Sequence, residues 1–166
     1  WRKYYDENPI NDLTSYSAVT PIIRYAEVLL SYLECLVEGN QPIDQSTLDA
    51  TINLVRGRAD VQMPPITETN PALLREKIRN ERRIELAYEG IRYWDLLRWN
   101  IAHEVLVGEI WGAPYPDSPL YATSTKQVDP TGHCRWYVGR RDFRNPEDYK
   151  WPIPLSEQNI NPNLRE

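Results

Sequence analysis

The chain has 166 residues, 41% apolar and 26% charged, enough for a single core of ordinary globular composition. Its net charge of −5, with no basic stripe, argues against a nucleic-acid surface. No apolar run approaches the roughly 18 residues of a membrane-spanning helix.

Residues 1–19 are polar and aromatic and read as an extended lead-in. The opening at Trp1, without initiator Met, signal peptide or lipidation motif, is expected to be a cut within a longer chain. Thr20-Pro21 predicts a helix start, with Thr as N-cap and Pro at the first helical position. Ile22, Ala26, Leu29, Leu33 and Leu36 recur at helical spacing up to Gly39-Asn40, which predicts a helix over residues 21–38. Cys35 lies inside it and is expected to be a small buried hydrophobe; pairing with Cys134 is left open. Ser46 predicts the cap of a second helix, with Leu48, Ile52 and Val55 as its stripe. The short connection makes these two an antiparallel hairpin. Asn70-Pro71 repeats the cap-then-proline start and opens a long third helix to Glu89, stopped by Gly90. A fourth helix follows, with Trp94, Leu97, Ile101 and Val105 on one face and Trp94 and Trp99 expected in packing. The resulting class is all-α: tetratricopeptide-like helical hairpins over about residues 21–107, then an irregular, loop-rich region over 108–166.

That second region is broken by Pro114, Pro116, Pro119, Pro130 and Pro146 and carries Trp111, Tyr115, Tyr121, Trp136, Tyr137, Tyr149 and Trp151. It reads as long loop with a short strand near residues 135–138. Trp151-Pro-Ile-Pro154 reads as polyproline II or an edge segment, and Asn161-Pro-Asn163 as a closing turn. The chain has 11 Tyr and 6 Trp against one Phe. Rings with a polar end suit half-wet surfaces, so this balance leans towards ligand or partner contact.

The charge is densest over residues 78–99. At i, i+4 spacing Glu81, Glu85 and Glu89 fall on one helical line, and Arg75, Arg79 and Arg83 on another. Leu74, Ile78, Glu81, Glu85 and Tyr88 share roughly one face, so two carboxylates stand in line with core positions. Buried carboxylates require partners. Arg24, Arg92 and Arg98 are the candidate cations, and Glu81 and Glu85 with these three form a predicted structural ion-pair latch. Two carboxylates one turn apart also meet the spacing of a glycosidase pair. Arginines close by hold them ionised and unfit as general acids, so no catalytic residues are assigned. His103 is expected on the polar side of the fourth helix. His133-Cys134 has no further ligands, and no metal motif or phosphate loop occurs, so no metal or cofactor is expected.

Four segments resemble the SusD/RagB family of nutrient-binding outer-membrane lipoproteins. They are Ile23-Arg-Tyr-Ala-Glu-Val-Leu-Leu-Ser-Tyr-Leu-Glu34; Ile52-Asn-Leu-Val-Arg-Gly-Arg-Ala59; Glu81-Arg-Arg83 with Glu85-Leu-Ala87, Glu89-Gly90, Arg92, Asp95-Leu96 and Arg98-Trp99; and Trp151-Pro-Ile-Pro154 with Asn161-Pro-Asn-Leu164. The third is the specific one. Family members are longer, so the resemblance implies that residues 1–166 are the C-terminal part of a SusD-like domain. The family's usual Asn-Pro-Gly-Tyr-type ending is missing. The resemblance also implies a non-enzymatic surface protein, lipid-anchored in the outer membrane through a preceding part. Such a protein captures an oligosaccharide, or in some members a peptide, and passes it to a TonB-dependent, SusC-like transporter. Pyranose rings stack their C–H faces on Trp and Tyr, and Trp111, Tyr115 and Tyr121 either pin the loop to the helices or meet such a ligand. They are the candidate ligand contacts. The rival reading is a tetratricopeptide-like scaffold binding a peptide or partner protein.

Overall fold

The computed structural model describes residues 21–114, 127–128, 130–131 and 134–164. The chain divides into two compact units, Trp1–Arg92 and Tyr93–Glu166.

In the first unit α1 spans Tyr25–Glu38, four residues shorter at its start than the sequence predicts. Pro21 does not open it. Arg24 precedes the first turn with an extended backbone (φ −119°, ψ 152°), because its side chain is fixed elsewhere in the unit. The C-terminal end closes as expected at Gly39-Asn40. Asn40 takes the left-handed conformation (φ 51°), and Gln41 N–H bonds back to the Leu36 carbonyl at 2.9 Å.

The second predicted helix is two short ones, α2 (Gln45–Asp49) and α3 (Ile52–Arg56). Asp44 rather than Ser46 caps α2, its carboxylate accepting from Thr47 N at 2.8 Å. The break falls at Thr51, whose hydroxyl donates to the Thr47 carbonyl at 2.6 Å and whose backbone leaves the helical region. The extended connector after α3 is pinned by Asn53. Its amide accepts from Ile66 N at 2.7 Å and donates to Ile66 O at 3.0 Å, so Ile66 enters the core as it would beside a strand.

The cap of α4 (Pro71–Glu85) matches the sequence expectation. Asn70 accepts from Ala72 N and Leu73 N at 3.0 and 3.3 Å, and Pro71 is the first helical residue. The helix stops at Glu85, short of the predicted Glu89. Tyr88 (φ 66°) and Gly90 (φ 78°) both take left-handed conformations there, so the chain turns before Gly90. α1 packs on α3 and α4. Leu29, Leu30, Leu33, Val37, Leu48, Ile52, Val55, Ile66, Leu74 and Ile78 form one buried cluster. Cys35 is exposed and free, a correction to its expected burial: the inward line of α1 runs through Leu30, Leu33, Glu34 and Val37.

In the second unit the predicted fourth helix is α5 (Ile91–Arg98, whose first two residues close the first unit) and α6 (Ala102–Val105). Asn100 (φ 55°) breaks the helical period between them. The predicted Trp94–Val105 face is therefore wrong: Asp95, Leu96 and Ala102 are buried, whereas Trp94 is 56% exposed. Trp99 is half-buried, with the Arg98 guanidinium 4.9 Å from its ring. His103 is half-buried too, and its Nδ1 lies 2.7 Å from the Tyr149 hydroxyl.

The region expected to be mostly loop holds a three-stranded antiparallel sheet in the order β1-β3-β2: β1 Gly108–Pro114, β2 Gln127–Val128 and β3 Cys134–Arg141. The class remains mainly helical. The β1–β3 register slips between Ile110 and Trp111 and again before Pro114, and these irregularities hide the alternation that would mark a strand. α7 (Leu155–Ile160) follows Pro154, whose φ −54° and ψ 140° fit the expected polyproline II approach.

Candidate functional site

Two constellations carry chemistry, one in each unit. The first is an ion-pair cluster at the end of α4. Arg24 donates through Nη1 to Glu85 Oε1 at 2.9 Å and through Nη2 to Glu89 Oε1 at 2.7 Å. Its Nη2 also meets the Glu85 carbonyl at 2.9 Å. Arg58 grips Glu85 with both terminal nitrogens, at 2.9 and 3.0 Å, and Arg56 pairs with Glu81. The bonds to Glu89, helped by Glu85, hold the Arg24 guanidinium above its already high range although burial opposes this. A permanently charged fork facing ionised carboxylates fixes geometry and has no proton to exchange.

Arg56 and Arg58 were missed from sequence, although Arg56-Gly-Arg58 stands in the second resembling segment. Their cue was chemical: two carboxylates in line with core positions require more than one cation. Of the other arginines proposed for this cluster, Arg98 meets Asp95 on its own helix at 2.9 Å, and Arg92 is half-buried on α5. A further buried pair, Arg82 with Glu34 at 3.7 Å, joins α4 to α1, and Arg82 also donates to Ser31 Oγ at 2.8 Å. Among the described residues no three or more His, Cys, Asp or Glu gather closely enough to hold a metal ion.

The second constellation lies on the sheet. Trp111 stands on β1 rather than in a loop. It opposes Tyr137 of β3, and the two rings meet edge to face, centroids 5.3 Å apart and planes at 69°. Its indole N–H donates to Glu109 Oε2 at 3.1 Å, and both rings are half-buried. Tyr115 and Tyr121 lie outside the described residues. Tyr137 was not among the candidate contacts read from sequence; only the cross-strand register brings it to Trp111.

The family model described as "SusD family" matches residues 1–166. The chain belongs to the SusD family. A solved SusD-like carbohydrate-binding protein from Bacteroides fragilis is 73% identical over 95% of this SusD-family chain, with a TM-score of 0.86. A second SusD-like structure from the same organism is 32% identical over 84% of it, at TM-score 0.55. Among curated relatives, SusD-like protein P25 of Formosa agariphila is 32% identical over 152 residues, 87% of the chain. SusD-like protein P38 of the same organism is 35% identical over 92 residues. The SusD-family chain spans only 23% and 18% of these two curated relatives, and 31% of the first solved structure.

Proposed function

We propose that this chain is part of a cell-surface protein that binds an oligosaccharide and passes it to a TonB-dependent, SusC-like transporter in the outer membrane. The binding protein is held there by a lipid anchor on a preceding part. It acts by capture and hand-over, without catalysis or cofactor. The observation that carries the reading is the 73% identity, over 95% of the chain, to a solved SusD-like carbohydrate-binding protein. Trp111 is its anchor, with Tyr115 and Tyr121 as further contacts. A half-buried indole braced by a second ring offers a flat apolar surface at low entropic cost, which suits the C–H face of a pyranose.

Titration calorimetry against maltohexaose, cellohexaose, xylohexaose, mannohexaose and laminarihexaose, with a pool of peptides alongside, tests this. Binding of at least one glycan is expected, weakened at least about tenfold in Trp111→Ala. Binding to peptides alone overturns the glycan reading in favour of a protein-interaction scaffold.

A further inference from the structure

Trp111 has one polar hydrogen, its indole N–H, and that hydrogen is already committed to Glu109. The two side chains lie two residues apart on β1 and so share a face. Arg140, the cross-strand neighbour of Glu109, lies 3.2 Å from Asp142, which leaves the Glu109 carboxylate to the indole. The strand irregularity completes the arrangement. Ile110 opposes Gly139, so an unbroken ladder would set Trp111 opposite Val138; the slip brings it to Tyr137 instead. Val138 is 61% exposed, whereas the two rings are half-buried.

We infer that Glu109 is a positioning residue for Trp111, and that Trp111 therefore reads its ligand by ring stacking alone. This rests on the glycan-binding reading above. A T-shaped contact with Tyr137 covers at most one face of the indole. The carboxylate holds the ring plane against rotation about the side-chain bonds. As a charge-assisted acceptor it also leaves more electron density on the indole, so the π-face turns more negative towards the polarised C–H bonds of a sugar. The indole has no donor left for a hydroxyl, so selectivity among sugars at this position follows the flatness of the C–H face.

The test uses the full chain, labelled with nitrogen-15, and the hexasaccharide that binds it most tightly in the panel above. The Trp111 indole N–H resonance is assigned by its loss in Trp111→Phe. Glu109→Ala is expected to shift that resonance upfield, leave the other indole signals in place, and weaken binding about three- to tenfold. Glu109→Gln keeps an acceptor and is expected to restore most of both. An unmoved resonance in Glu109→Ala overturns the hydrogen bond. A moved resonance with unchanged affinity overturns the positioning role while the glycan reading stands. Failure of the unmutated chain to bind any hexasaccharide overturns the glycan reading and the positioning role with it.

Discussion

Arg24 serves two carboxylates and a carbonyl with one side chain, and Glu85 is shared between Arg24 and Arg58. Removing one member leaves the others desolvated and incompletely paired, which costs more than the net value of the pair. Glu85→Ala is expected to lower the stability of unfolding by about 2–4 kcal/mol in urea titration, with the m-value unchanged. Glu85→Gln is expected to lose less, since it keeps one acceptor. Asp44 allows a sharper check. The Thr47 hydroxyl and N–H, with the Ser46 hydroxyl, hold its carboxyl down to about 2 from an ordinary 3.8. The folded chain thus binds this proton less readily than the unfolded one. The cap supports folding fully above about pH 4, and that support fades as pH falls towards 2. Carbon-detected NMR titration should show Asp44 still ionised at pH 3. At this scale sequence spacing showed that Glu81 and Glu85 need cations; Arg24, Arg92 and Arg98 were the candidates, and Arg24 is bonded to Glu85. Spacing could not show Arg56 and Arg58, because a helix end and a turn after α3 deliver them.

Elements were legible where local chemistry decides them. Asn70-Pro71 announces α4 because cap and proline both act within one turn, and Asn70→Ala is expected to cost about 1 kcal/mol by thermal or urea unfolding. Thr20-Pro21 carries the same signal, yet the helix opens only at Tyr25, after an extended Arg24 whose side chain is bonded to Glu85 and Glu89. Glu89 was counted as helical because the periodicity continues through a turn in which Tyr88 and Gly90 take left-handed conformations. The strand expected near residues 135–138 is part of β3, but its partner β1 escaped notice because the two slip in register around Trp111 and pair across the intervening chain, which no local pattern encodes.

For the molecule as a whole, the helical class and family were readable because the first unit gathers its apolar stripes into one buried cluster and the charged segment has an unusual composition. The pairing of Trp111 with Tyr137 was not, since a strand register makes it. The division into units makes a separable prediction. Ile78, 1% exposed in the first unit, should on truncation to Ala cost about 2–4 kcal/mol and lower the melting temperature, while glycan affinity well below the transition stays unchanged. Trp111→Ala should do the reverse. Calorimetric melting and titration of both variants check the pair together.

The Arg24–Glu89 contact joins residues 65 apart in sequence, one just before α1 and the other just after α4. The stretch between them is thus a ring closed by a clasp without a covalent bond. Pulled apart at residues 21 and 92, the ring would load the guanidinium–carboxylate fork directly, before the helices inside it feel tension. Such a clasp gives the ring mechanical resistance along that direction. In a force-spectroscopy experiment with handles at those two positions, Arg24→Ala should lower the rupture force far more than it does with handles at residues 45 and 71.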